Sequence, residues 1–541
     1  MKKKIVALIL VVGMLSTLLV GCGGGTDSTS TAGSTGEGDS AEQTTEQDAG
    51  PEEAVSEELA TKGDMEVLDI FINHSWYPMD TFTGIIPEAI KAEVGIDLNV
   101  TIASSSEQLG LMIASGDLPD LVFTDQELDR LSNERLTLSY DELEESYGAD
   151  FSTVRPIAVD IARSYSEDGK YYTLLNNFST ADEWASLNAG AAGGAAMFYR
   201  KDLLEPLGID GSEISSLEEL YEVLATVKEA YPERTPFGLG GHWKFQGIEF
   251  AVGVEASQFN PDTGEYYYLA SAPKYREFLE AANYMHRQGF VSAEQYAVEN
   301  EADSHQFAFN DGNVFYNWYL SNNDLTKLQG GTEEIHPDAE WAILPFLGDS
   351  SKGFSVGWSG VFVSRNVSNP EAAAKLLSYL HSVEGRRTSM WGREGIDFTL
   401  DENDNPQFSE EFLAVREAGE LDTLYNWRFN FGSTAVEEII ALSSGIDKDV
   451  LAAITTHNKG REIFPEVTLA RPTSSSAEGV IFANLEELKR VHEAKIIFTD
   501  TDEEFNQAFD EFVGALEQTG VQEYNDYMTN AIKEVRDELG W

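Results

Sequence analysis

The chain has 541 residues, of which 94 are Asp or Glu and 36 are Lys or Arg, giving a formal net charge of -58 at pH 7. So acidic a surface repels nucleic acid and anionic lipid and leaves no large basic face, which excludes both as partners. A chain of this length also exceeds the size at which one hydrophobic core stops growing, and this predicts two lobes.

Lys2, Lys3 and Lys4 precede an apolar run from Ile5 to Val20, which ends in Leu19-Val20-Gly21-Cys22. A basic start, a short apolar stretch and small residues at a cleavage point spell a secretion signal, and the run is short for a membrane span of about 20 residues. The last four residues resemble a lipobox, which implies that Cys22 becomes the lipidated first residue of the mature protein. Cys22 is also the single cysteine. No internal disulfide can form, so stability must come from packing. Residues 23–64 are Gly, Ser, Thr, Glu, Asp and Gln with almost no large apolar side chain. That composition cannot offset its own ordering entropy and predicts a disordered tether with a mean reach of about 35 Å.

The folded part opens with Val67, Leu68, Ile70, Phe71 and Ile72, a run suited to a buried strand. The loop Asn73 to Pro78 follows. Loops leaving the carboxyl ends of strands line the crevice of an open α/β sheet, which makes Trp76 and Tyr77 early candidates. Leu98, Val100 and Ile102 predict a second strand and Leu121–Phe123 a third, ending at Thr124-Asp125. Between these two, Leu109 to Ala114 predicts a helix that stops at Ser115-Gly116. Asp168-Gly169 predicts a tight hairpin turn, and the small residues Gly190 to Ala196 predict the first crossing between lobes. Met197 to Ile209 reads as a strand-to-helix corner closed by Gly208.

Ser216 with Glu219, and Thr501 with Glu504, fit capping boxes. Gly238 to Trp243 is a loop after a short strand, and Asn260 to Gly264 is a hairpin turn. Tyr275, Phe278, Leu279, Ala282 and Met285 share one helix face. Val314 to Tyr319, Trp341 to Phe346 and Gly357 to Val363 read as strands, the second of them returning to the first lobe. Pro370 opens a helix at its first position, and the carboxy-terminal part is mainly helical.

Three stretches in this order, ASGDLPD at Ala114–Asp120, MFYRKDLLEPLGI at Met197–Ile209 and Asn369-Pro370-Glu371-Ala372-Ala373, resemble the extracellular solute-binding proteins of bacterial ABC importers. The likeness is to the large lipoprotein branch of the carbohydrate-type family. It covers nearly all of the chain after residue 65, and Trp391-Gly392-Arg393-Glu394-Gly395-Ile396-Asp397 is close to a motif of that branch, which commonly carries an acidic residue where Glu394 stands. The resemblance implies a two-lobed α/β periplasmic-binding-protein-like fold of type II, with discontinuous lobes, a hinge and a central ligand cleft. The expected lobes are 65–184 with 349–384, and 185–348 with 385–541. It further implies a monomer held to the extracellular face of the cell membrane by its lipid, delivering cargo to permease subunits, with no cofactor and no reaction of its own.

The aromatics carry the ligand argument. Trp76, Trp184, Trp243, Trp318, Trp358, Trp391 and Trp427 sit in polar stretches bearing Gly or Asn. A sugar ring offers a flat C–H face and a rim of hydroxyls, so its site pairs aromatic platforms with polar side chains such as Asp125, Glu394 and Arg428. A core or lobe-interface role is the plain alternative for each Trp. A secreted glycoside hydrolase is the alternative from another class, though no carboxylate pair stands out. Peptide is the alternative cargo. No His-Glu-x-x-His is present, and Asp401 to Pro406, which places oxygen ligands at alternate positions, lacks the glycine and closing Glu of a calcium loop and reads as a surface turn.

Overall fold

The computed structural model describes residues 65–75, 77, 79–105, 107–178, 195–298, 301–319, 322–348, 352–353, 356–402, 404–426, 429–443 and 462–540. Cys22, the signal segment and the tether lie outside them, as do Trp76, Trp184, Trp427 and Arg428.

The first sheet joins β1 (Glu66–Ile72), β2 (Ile96–Ile102), β3 (Leu121–Thr124), β4 (Thr137–Leu138) and a late strand, Gly360–Ser364. β1 pairs in parallel with β2 and β3, and the late strand runs antiparallel between β3 and β4. Because side chains alternate across a strand, the sheet buries both faces in different company. Leu68, Ile70, Ile72, Leu121 and Phe123 share a core with Ile86, Ile90, Leu376, Leu377 and Leu380. Phe71, Val122 and Phe362 meet Leu109, Ile113 and Leu131 on the other side.

The second sheet holds β5 (Ala195–Arg200), β6 (Phe237–Leu239), β7 (Phe315–Tyr319) and β8 (Trp341–Ile343) in the order β6-β7-β5-β8. Met197 and Tyr199 of the central β5 face a core built by helices Leu217–Ala230, Tyr275–Arg287, Ala477–Ile497, Asp502–Thr519 and Val521–Leu539. Ala196 and Phe198 face Tyr316, Trp318, Leu328 and Trp341. The corner after β5 is architectural: buried Arg200 makes a bidentate pair with Asp202, at 2.7 and 2.6 Å, and Gly208 closes the turn at φ 73°. Two further strand pairs complete the chain, β9 (Lys352–Gly353) in parallel with Glu462–Ile463, and a hairpin of Phe398–Leu400 with Pro406–Phe408. In chain order the late strand of the first sheet is β10, the hairpin strands are β11 and β12, and Glu462–Ile463 is β13.

Three expectations need correction. The Glu167–Lys170 turn joins the end of helix Pro156–Arg163 to an extended segment rather than two paired strands, because Arg163 donates to the Gly169 carbonyl and the Asp168 carboxylate accepts the Lys170 N–H and the Tyr172 hydroxyl. Thr501 and Glu504 form a full capping box, but the Glu219 carboxylate takes the N–H and hydroxyl of Ser215 instead of the N–H of Ser216. Residues after 385, expected in the second lobe, stay with the first: Met390, Trp391, Phe398, Phe412, Tyr425, Phe429 and Phe431 lie in the core of the first sheet. The cause is covalent, since helix Val383–Trp391 follows helix Pro370–His381 with only Ser382 between them. The chain joins the second core again at Val467.

His381 closes that first helix inside the core, edge-on to Tyr140 and Phe151 at 6.2 and 5.8 Å. Burial, with Arg386 adding to it, pushes its imidazole down to about 3. The folded value is below the unfolded one, so the unfolded chain takes the proton first and stability is lost as pH falls from about 6.5 towards 3. His381→Phe is therefore expected to narrow the loss of stability between pH 7 and pH 4.5 by about 2 kcal/mol. Denaturant unfolding of both proteins at the two pH values measures it; parallel losses would contradict the assignment.

Candidate functional site

The chain passes between the two cores three times, and the crossings fix which edge of each sheet looks towards the other. It leaves the first side after Phe178, which packs with Ile161 and Val356, and enters the second sheet at Ala195, the first residue of β5. It leaves by way of β8 and reaches β10 through Val356. The site is therefore sought at the carboxyl ends of β1 and β3 with the start of β10, and at the start of β5 with the ends of β6 and β7.

On the first side, β1 runs into Asn73 and His74, both buried. The Asn73 amide donates to Thr124 Oγ1 at 3.1 Å, and its Oδ1 has no partner among the described residues. His74 Nε2 lies 2.9 Å from Ser359 Oγ, and its ring stacks on half-buried Trp358 at 4.9 Å and 29°. Phe123 meets Trp358 edge-on at 5.5 Å. Asn176 locks this segment, accepting the Ser359 N–H at Oδ1 and the Trp358 N–H at its carbonyl. Gly357 stands at φ 116° with Leu175 so near that a Cβ would come within 2.6 Å of it, so only glycine delivers Trp358 here. Burial holds the His74 imidazole below its ordinary value, and the neighbouring Asp125 carboxylate pulls it back up. Asp125 itself is exposed.

On the second side, the buried Asn317 of β7 organises the loop after β6. Its carbonyl accepts the Gly240 N–H, its amide donates to the Trp243 carbonyl at 3.1 Å, and its Oδ1 accepts the Gly247 N–H at 3.0 Å. Half-buried Trp243 lies 5.2 Å from Tyr319 and 4.4 Å from exposed His242. Lys244 then turns the chain at φ 34°, its ammonium 4.3 Å from the Tyr296 ring centre. Trp318 is 4% exposed and meets His305 edge-on at 4.2 Å, and its Nε1 has no partner among the described residues. Burial, helped by Lys327, lowers the His305 imidazole to about 4, so that ring is neutral at ordinary pH.

Four of the sequence candidates thus stand at the crossing edges: Asp125 and Trp358 on the first sheet, Trp243 and Trp318 on the second. Trp391 does not. It is packed in the first core against Phe398 at 5.3 Å, and its indole N–H donates to the Glu437 carbonyl at 2.9 Å. Glu394 is exposed beside it, and the carboxylate that organises the motif is that of Asp397, which takes the N–H and guanidinium of Arg393 and the hydroxyl of Tyr425. The Asp401 turn caps the β11–β12 hairpin: the Asp401 N–H donates to the Asn405 carbonyl, and the Asp401 carboxylate accepts the Asn405 N–H. Among the described residues no three His, Cys, Asp or Glu side chains are grouped to hold a metal ion. His74, Ser359, Asn317 and Tyr319, which hold these edges together, were not among the candidates the sequence offered. The position of His74 straight after the first apolar strand was the usable signal.

Residues 75–387 match the family of bacterial extracellular solute-binding proteins. A carbohydrate ABC transporter substrate-binding protein of Streptococcus pneumoniae serotype 4 is 20% identical over 346 residues, which is 60% of this chain and 64% of that protein's length. Among solved structures, the alginate-binding protein AlgQ2 without calcium ion superposes with a TM-score of 0.65 at 17% identity, covering 87% of this chain and 98% of that one. The S. pneumoniae ABC-transporter substrate-binding protein FusA in complex with kestose gives 0.61 at 14% identity, covering 87% and 100%. These likenesses carry the fold: two α/β lobes of the periplasmic-binding type. With the family match spanning more than half of its length, the chain belongs to the bacterial extracellular solute-binding proteins.

Proposed function

We propose that this chain is the cargo-binding component of an ABC importer, taking a sugar or oligosaccharide between its lobes and handing it unaltered to membrane permease subunits. One observation carries the reading. At the crossing edges, the Trp358 indole stands on one side with His74, Ser359, Asn73 and Asp125, and the Trp243 indole with the Tyr319 phenol on the other. Flat apolar faces ringed by hydroxyl, amide and carboxylate groups suit a sugar, which needs both at once. The names of the structural relatives favour the same class of cargo. The lobes we assign are residues 65–178 with 356–441, and 195–348 with 462–540. Ligand is held in the gap, and closure bends the crossing segments.

Titrating tryptophan fluorescence with a panel of oligosaccharides and peptides tests this. Saturable quenching by a sugar, with the sugar recovered intact, is the expected result. Saturation by peptide alone would move the cargo to another class, and cleaved glycan would make the protein a hydrolase.

No helix among the described residues is long and apolar enough to cross a membrane. The anchor we propose is a lipid on Cys22. Cys22→Ala is expected to move the protein from the cell surface into the medium, and an unchanged surface fraction would refute it.

A further inference from the structure

We infer that two polar bridges, Asp129 to Ser474 and Lys327 to Asp422, form a latch that sets how often the lobes close before cargo arrives. The first joins helix Leu128–Leu131, which follows β3, to the loop before helix Ala477–Ile497. Leu131 belongs to a core of the first sheet and Leu485 to a core of the second, so the bridge spans the two. One oxygen of Asp129, Oδ2, accepts both the N–H of Ser474 at 2.9 Å and its hydroxyl at 2.6 Å.

Both ends of this bridge are held in place. Glu127, at φ 59°, turns the chain into the Asp129 helix and is tied to Arg130 at 2.7 Å. A non-glycine residue in that region is a local cost that the surrounding contacts must over-determine. At the other end, the Thr473 carbonyl accepts the Ser476 N–H at 3.0 Å and its hydroxyl at 2.8 Å. Gly479 packs over that carbonyl so closely that a Cβ would lie 2.0 Å from it, so the Ser474 loop has one position against its helix.

The second bridge crosses elsewhere. Lys327 stands on helix Asn322–Glu333, whose Leu328 packs under the second sheet, and Asp422 lies in the turn Leu421–Tyr425, whose Leu421 and Tyr425 are in the first core. The two groups are 3.0 Å apart, with Asp422 12% and Lys327 38% exposed. Neither bridge includes a residue of the aromatic rim. Each therefore acts on the open–closed balance rather than on cargo contacts, and a ligand-free closed population raises apparent affinity by the fraction already closed. Charge-assisted hydrogen bonds and half-exposed ion pairs of this kind together bias such an equilibrium by about ten- to thirtyfold.

The inference rests on the proposed closure of the lobes, and its test needs no cargo. Spin labels are placed at the exposed helix positions Glu145→Cys and Glu503→Cys, in a secreted form beginning after Cys22, and distances are measured without ligand. Asp129→Ala and Lys327→Met are each expected to move the distribution towards longer distances, and the double variant further. Raising salt should lengthen the wild-type distances and leave those of the Lys327→Met protein less changed, since screening acts on the ion pair. Identical distributions in all variants would overturn the latch even if sugar binds tightly. A shifted distribution with no sugar bound by any variant would support the latch and count against the cargo proposal.

Discussion

Trp358→Ala is expected to weaken sugar binding by about thirtyfold to a thousandfold while the protein remains folded. One face of the Trp358 ring is already used by His74, at 4.9 Å, and Phe123 meets the ring edge-on at 5.5 Å. Burial of one face by neighbours fixes the rotamer, so the indole is a rigid platform and binding does not have to order it. Aromatic anchors of this kind cost about 2–4 kcal/mol when truncated. Trp391→Phe is the contrast. That indole is 3% exposed and its N–H is bonded to the Glu437 carbonyl, so the substitution is expected to cost stability, about 1–2 kcal/mol, and to leave affinity unchanged. Titration calorimetry and denaturant unfolding on the two variants separate the roles. Equal affinity in Trp358→Ala and wild type would remove Trp358 from the site.

The strands and most caps were legible because short-range rules decide them. The apolar run at β1, the alternation at β2 and the αL stop at Gly208 each satisfy a local requirement that the tertiary fold does not oppose. The candidate site was legible only in part. Composition marks a Trp in a polar loop but not which way it faces: Trp358 and Trp391 look alike in sequence, and only Asn176, Gly357 and His74 distinguish them. His74 lies 285 positions and Asn176 183 positions from the Ser359 they hold, beyond any local pattern, and Gly357 shows its role only against Leu175. The placement of residues after 385 failed for a related reason. Family order suggests where a chain crosses, but a helix break of one residue keeps Val383–Trp391 against the sheet it came from.

That same break gives the largest stability effect we expect. Gly385→Ala should destabilise the protein by about 3 kcal/mol or more, although alanine in place of glycine ordinarily strengthens a helix by about 1 kcal/mol. Gly385 is the third residue of helix Val383–Trp391, and its N–H donates to Ser382 Oγ at 2.9 Å, the cap of that helix. A Cβ there would come within 1.8 Å of the Tyr379 carbonyl oxygen and 2.6 Å of its carbon, all of it backbone. Neither helix can yield. Leu376, Leu377 and Leu380 bury the first, Met390 and Trp391 bury the second, and from the far side Gly432 holds the Leu380 carbonyl so closely that its own Cβ would lie 2.3 Å away. Gly514, inside helix Asp502–Thr519 with nothing within 4 Å of an added Cβ, provides the matched control. Gly514→Ala is expected to stabilise where Gly385→Ala unfolds, and denaturant midpoints of the two proteins compare them directly. If both variants are stabilised, the corner at Ser382 is free to open, and the reason given for keeping residues 385–441 on the first lobe fails with it.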